Sequence, residues 1–314
     1  MRAATLALIA PLAVSLAACG GSAGDGGQVA ATIAAPAAAT GAAPAGTVTA
    51  PVLPKGEWAF APGAGTKGVA NVGTATAADG SSKTVTRVFI VDAATEANRS
   101  LQYVDGSWNL PVPVAGAEPE GLSWNGRRAV LASTDGPSRF ITFRPAKDMS
   151  SSDVATDEID LADQGTFRFD ALSRDGAWLY LAQSKDAAGN AVDKIRAYDL
   201  VRGTLLADPV VDKAGGAEAM AGTPVVRAFA PDGNAVYTVY EGPQHPFVHG
   251  LLTGDRISVC IDLDGAPATG AAGAWTMRWT DPGRTLEITS ERLHKTFTIT
   301  VQDDFPTLTG TREG

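Results

Sequence analysis

An all-β chain, folded as a ring of repeated four-stranded sheets, is what this sequence predicts, and three observations predict it. The first is a shared pattern around four turn glycines, Gly126, Gly176, Gly233 and Gly283. Four residues before each stands a large apolar side chain: Leu122, Leu172, Phe229 or Trp279. Three residues after each comes Ala129, Leu179, Val236 or Leu286, and five after come Leu131, Leu181, Thr238 and Ile288. That period of two specifies a strand. The second is that a further strand-like run closes every unit: "RFITFRP", "KIRAYDL", "RISVCIDL" and "KTFTITVQ". The third is the near absence of helical periodicity beyond the first 54 residues.

Each element has a local reason. Asn125, Asp175 and Asp232 precede three of the glycines and Pro282 the fourth. Asn-Gly and Asp-Gly favour the positive φ of tight hairpin turns. The glycines lie 50, 57 and 50 residues apart, and an earlier unit of the same form pairs "GVANVGTAT" with "TRVFIVDAATE" from Thr86. Further apolar strands fit between units: "LPVPV" from Leu110, "TFRFDAL" from Thr166 and "TPVVRAF" from Thr223. Four strands per repeat make a β-propeller of five or six four-stranded blades, with seven still compatible. A β-sandwich is the competing architecture, but it does not need matched apolar positions around four separate turns.

The chain has 314 residues, and its start reads as an address. Met1-Arg2 is a short positive region, Ala3 to Leu16 is apolar, and Leu16-Ala17-Ala18-Cys19 is followed by two glycines. An apolar run of this length suits a secretory signal better than a membrane span. Small residues before Cys19 resemble the lipobox of bacterial lipoproteins, which implies a signal over 1–18, cleavage before Cys19 and acylation of its thiol. Two or three acyl chains anchor stably where one does not. The expected location is therefore a bacterial envelope membrane, facing away from the cytoplasm. Residues 20–54 carry one charge, Asp25, and no aromatic side chain. Such a segment cannot offset its ordering entropy and is expected to be a flexible tether spanning roughly 30–35 Å. The propeller is expected over 55–314.

Removing 1–18 takes away one cation, Arg2, leaving 24 basic and 34 acidic side chains. That balance disfavours nucleic acid as a partner. With Cys19 acylated, Cys260 is the only remaining thiol, and no intramolecular disulfide can form. Stability then rests on the apolar core.

The stretch "GAEPEGLSWNGRRAVLAS" resembles secreted YVTN-type (YncE-like, WD40-like) propeller repeats. "DALSRDGAWLYLAQ" followed by "KIRAYDLVRGTLL", and "VVRAFAPDGNAVYTVYE", look like blades of the same kind. "NAVYTVYEGPQHPFVHGLLTGDRISVCIDLDG" is similar to segments of actinobacterial propeller lipoproteins. The resemblance covers about residues 56–303 and implies fold more than function. The repeats here are longer than those of that family, which number seven.

In such propellers the loops between second and third strands, and the connections into the next blade, open on one face. Ligands usually meet that face or the central funnel. Tyr240 to Asp255, "YEGPQHPFVHGLLTGD", reads as one unusually long loop of this set. It holds His245 and His249, two of three histidines, beside Tyr240 and Glu241. Those groups could serve as a metal or acid–base set. Pro243 and Pro246 forbid a helix, however, so the four-residue spacing does not place both rings on one face. Exposed or loop-packing histidines are the competing reading. Glu118 and Glu120 flank Pro119 in what reads as a blade-connecting loop, and are candidates on the same face.

Other patterns are weaker. Asp262-Leu263-Asp264-Gly265 lacks the further oxygen ligands of a calcium loop and reads as a strand end with a turn. "GLSWNG" lacks the second glycine and the strand-to-helix path of a nucleophile elbow. "GAGTKG" lacks phosphate-loop spacing. Cys260 reads as a small strand hydrophobe.

No catalytic residue, metal or cofactor is expected on this reading. The expectation is a monomeric binding module for an envelope protein, a wall polymer or a small ligand. A lactonase-like or lyase-like enzyme with scattered loop carboxylates and histidine is the alternative, and a structural scaffold of an envelope assembly the second alternative.

Overall fold

The computed structural model describes residues 57–76, 80–145, 155–212, 221–265, 274–302 and 305–314. The expected signal peptide, Cys19 and the tether lie outside these residues. The described chain folds as five four-stranded antiparallel sheets. Blade one holds β1 (Ala59–Ala61), β2 (Thr66–Thr76), β3 (Ser82–Asp92) and β4 (Asn98–Asp105). Blade two holds β5 (Trp108–Asn109), β6 (Ala129–Ser133), β7 (Arg139–Phe143) and β8 (Thr156–Asp160). Blade three holds β9 (Gly165–Leu172), β10 (Trp178–Asp186), β11 (Ala191–Asp199) and β12 (Thr204–Val210). Blade four holds β13 (Thr223–Phe229), β14 (Ala235–Glu241), β15 (Pro246–Leu252) and β16 (Ile257–Asp262). Blade five holds β17 (Trp275–Asp281), β18 (Thr285–Ser290), β19 (Lys295–Gln302) and β20 (Phe305–Glu313). The protein is a β-propeller, as the turn pattern predicts.

The turns close as their residues dictate. Gly126, Gly176, Gly233 and Gly283 all have positive φ, between 66° and 80°. In three turns the Asn or Asp side chain accepts the backbone N–H two residues on, from Arg127, Ala177 or Asn234, each at 3.0 Å. The turn is thereby fixed before any tertiary contact is made.

Alternation along each second strand assigns side chains to neighbouring blades. Ala129 and Leu131 face blade one, where they meet Val88, Ile90 and Val104. Leu179 and Leu181 face blade two, and Leu286 and Ile288 face blade four. The residue between them points the other way: Val130 packs towards blade three, Tyr180 towards blade four and Tyr237 towards blade five. These strands are buried on both faces and so read as near-continuous apolar runs. In blade five the corresponding residue is Glu287, which pairs with Arg278 at 2.7 Å. Around it lie Thr276, Thr289, Thr296 and Thr298, so this face is polar where those of blades two to four are apolar.

Two expectations are corrected. "LPVPV" is not a strand: Leu110 to Val114 is irregular. Pro111 and Pro113 lack the N–H groups that a ladder needs. Pairing of the inner strand of blade two lapses after Asn109 and resumes only with the bridge between Leu122 and Ala129. The long loop at Tyr240 to Asp255 is also mostly strand. β14 runs through Glu241, and β15 starts at Pro246, directly opposite Glu241. A proline is tolerated at the first residue of a strand, so Pro246 excludes a helix without excluding β15. "RISVCIDL" is accordingly the fourth strand of its blade and not the partner of β14.

Candidate functional site

The inner strands of blades two, three and four converge on Arg227 of β13. Its side chain is only 4% exposed. Nε lies 2.9 Å from Glu120 Oε1 of blade two, and Nη1 lies 3.6 Å from Asp170 Oδ1 of blade three. Nη2 donates to the Asp170 carbonyl at 2.9 Å. One guanidinium thus ties three blades, and the second carboxylate leaves the cluster with net negative charge when all three are ionised. Burial pushes the Glu120 carboxyl up to about 7, against the pull of Arg227 and with the help of Asp170. Burial raises Asp170 too, against Arg227 and Arg168. Glu120 Oε2 and Asp170 Oδ2 are buried without hydrogen-bond partners.

Arg227 and Phe169 line two cavities at once, which makes them the waist of the funnel. The first cavity, of 310 Å³, lies on the face where second strands turn into third strands and blades connect. Its lining includes Arg139, Arg168, Asp170, Gln183, Asp193, Lys194 and Tyr240. Arg139 is engaged by Glu158 and Asp160. Arg168 and Lys194 make no ion pair among the described residues, and Arg168 is exposed. Burial raises the Tyr240 phenol, so it stays protonated. The second cavity, of 470 Å³, opens among the first-to-second strand turns and is lined by Phe60, Glu118, Glu120, Trp124, Phe169 and Phe229, among others.

The six candidate residues separate in space. Tyr240 lines the first cavity, but Glu118 and Glu120 line the second. That corrects their expected face: the connection between blades one and two is the short stretch Gly106-Ser107, and Glu118 to Glu120 belong to the interrupted inner strand of blade two. Glu241 is buried, accepts from Trp275 Nε1 at 2.6 Å and pairs with Arg292 at 3.1 Å, joining blades four and five. His245 sits in the β14–β15 turn, partly exposed, with Nε2 2.8 Å from Asp262 Oδ1. His249 is buried on β15, edge-on to Tyr240 with ring centroids 6.2 Å apart. Burial and then the charge of Arg227 push its imidazole down to about 3, against Asp212. Its Nε2 has no hydrogen-bond partner. Cys260, half-buried on β16, donates its backbone N–H to Asp212 at 2.7 Å.

Among the described residues no group of three or more His, Cys, Asp or Glu is arranged to hold a metal ion. No helix among them is long and apolar enough to cross a membrane. Glu120 was a candidate from the sequence, but Arg227 and Asp170 were missed, although a signal was there: they are charged residues inside the mostly apolar strands "TPVVRAF" and "TFRFDAL", the second of which also holds Arg168.

No protein-family model matches this sequence, and no curated protein matches it. Among solved structures, the chain is similar to the periplasmic gluconolactonase of Pseudomonas aeruginosa, at 17% identity over 82% of this chain and 71% of that one, TM-score 0.45. It is similar to Hsv2 of Kluyveromyces lactis at 12% identity over 74% and 83%, TM-score 0.39. It is also similar to TolB of Acinetobacter baumannii at 13% identity over 82% and 55%, TM-score 0.39.

Proposed function

We propose that this chain is a lipid-anchored, extracytoplasmic propeller of the YVTN-like lipoprotein type that binds a small anionic ligand in the first cavity. One observation carries the ligand class. In a chain of net charge −9, this cavity presents Arg168 and Lys194 without ion-pair partners among the described residues, against Asp193 and the Asp170 carboxyl that Arg227 already holds. The protonated Tyr240 hydroxyl adds a neutral donor. Donors of both kinds suit a carboxylate or phosphate group. Calorimetry with phosphate, gluconate and citrate tests the reading. Saturable binding that falls at least about tenfold in Arg168→Ala/Lys194→Ala supports it; equal affinity in both proteins overturns it. Anchoring rests on the Leu-Ala-Ala-Cys19 motif. Cys19→Ser should release the protein from the membrane fraction, and persistent association overturns the anchor.

A lactonase-like or lyase-like enzyme is the second reading, and one observation favours it. A carboxyl held near 7 beside a guanidinium, as Glu120 is, can exchange protons at neutral pH. Hydrolysis of a sugar lactone by the wild type that disappears in Asp170→Asn and Glu120→Gln would establish this reading.

A further inference from the structure

The second cavity has a chemistry opposite to that of the first. Its walls are aromatic: Phe60, Trp124, Phe169 and Phe229. Phe60 and Phe229 are 45% and 39% exposed, so apolar surface faces solvent at its mouth. Its acids are Glu120, set deep beside Arg227, and Glu118, which is exposed. Asp170 lies just behind the waist and shares the Arg227 charge, with Arg168 also acting on it, so among the cavity's own lining residues Glu118 and Glu120 stand against Arg227.

The aromatic wall is preformed. Trp124 reaches from blade two between Gly63 of blade one and Gly233 of blade four, and a Cβ at either glycine would run into its indole. Arg174 of blade three lies over the ring, 4.3 Å from its centroid. A side chain clamped by three other blades loses little freedom when a ligand arrives. Among the buried polar atoms of the lining residues that lack hydrogen-bond partners are Glu120 Oε2 and Trp124 Nε1, besides Nε and Nη1 of Arg227, which face carboxylates as ion pairs. A buried acceptor without a donor is costly, and a ligand N–H removes that cost.

We infer that the second cavity is a binding site for a small amine with an apolar or aromatic body, separate from the anion site on the opposite face. The ammonium would lie at Glu120 Oε2 with Glu118 as its outer counter-charge. The body would lie against Trp124, Phe229 and Phe60 as an apolar wall, one face of Trp124 and one of Phe229 being already taken by the guanidinium of Arg174 or Arg227. This inference does not depend on the first cavity having a ligand.

The test uses three probes of one shape and different charge, phenethylamine, 2-phenylethanol and phenylacetate, titrated calorimetrically into the purified full chain at pH 8. Saturable binding of the amine is expected, with the alcohol about tenfold weaker and phenylacetate weaker still. Glu120→Gln should bring the amine close to the alcohol, and Phe229→Ala should weaken both. Glu118 is exposed and makes no ion pair among the described residues, so Glu118→Gln keeps the test alive if the Glu120 variant does not fold; it should weaken the amine alone, about threefold. Arg168→Ala/Lys194→Ala should leave amine affinity unchanged. The inference is overturned if the amine does not bind saturably, if phenylacetate binds as well, if neither Glu variant affects the amine, or if the Arg168/Lys194 variant loses it.

Discussion

Glu120 and His249 make opposite demands on pH, and their effects can be separated. The Glu120 carboxyl is raised from 4.5 to about 7, so the native state keeps a proton that the unfolded chain has released. Its contribution to stability is full below the unfolded value and is lost as pH rises through the native one. The His249 imidazole is lowered from 6.5 to about 3, so the unfolded chain takes up a proton that the native state refuses. Its contribution is lost as pH falls below 6.5. Between pH 5 and pH 8 each effect is worth about 2 kcal/mol, with opposite sign. As far as these two groups go, the wild type should be nearly level across that window. Glu120→Gln cannot titrate, so its stability relative to wild type should improve by about 2 kcal/mol from pH 5 to pH 8. His249→Asn should improve by a similar amount in the other direction. Urea midpoints followed by tryptophan fluorescence at pH 5, 6.5 and 8 would measure both. Variant curves that run parallel to the wild type would refute the reasoning, because they would mean that neither group is buried in the state the structure describes.

Further outcomes follow from the waist and the turns. Arg227→Met removes the guanidinium that pairs with both Glu120 and Asp170, and should cost about 3–5 kcal/mol at pH 8. The loss should shrink at pH 5, where Glu120 is protonated; a loss independent of pH would show that Arg227 acts through packing alone. Gly233 and Gly283 have similar φ, 76° and 80°, but a Cβ at Gly233 meets Trp124 while nothing lies within 4 Å at Gly283. Gly283→Ala should therefore cost about 1–2 kcal/mol from the backbone alone, and Gly233→Ala clearly more in a thermal melt. Equal losses would mean that Trp124 is not clamped.

The fold was legible because its code is local. Asn125-Gly126, Asp175-Gly176 and Asp232-Gly233 specify their turns by themselves, and alternation after each glycine specifies the strand. Blade number was less legible: the turn spacing left five, six or seven blades open, and the described residues form five sheets. Four residues after the turn glycines stand Val130, Tyr180 and Tyr237, and then Glu287, so the apolar face repeated in blades two to four becomes acidic in blade five. The β15 strand was hidden because Pro246 at its start looks like a loop signal until its place opposite Glu241 is known. The candidate site was less legible. Tyr240, Glu118 and Glu120 do line cavities, whereas His249 and Glu241 are interior and His245 pairs with Asp262. Arg227, Glu120 and Asp170 come from three blades, and which charged residues of separate repeats meet at an axis depends on how the sheets pack. No spacing within one repeat encodes it.

Each of the five described sheets is drawn from one stretch of chain, with its strands in space in the order of the sequence, and the isolated bridge from Asp212 to Ser258 lies outside their ladders. No strand has to wait for a partner made much later. During synthesis each blade can complete its backbone hydrogen bonds soon after its own residues emerge, so the exposed strand edges that invite aggregation are short-lived. The search for distant partners, the slow part of folding for most all-β proteins, is reduced to docking finished sheets through side chains such as Tyr180, Tyr237 and Arg227.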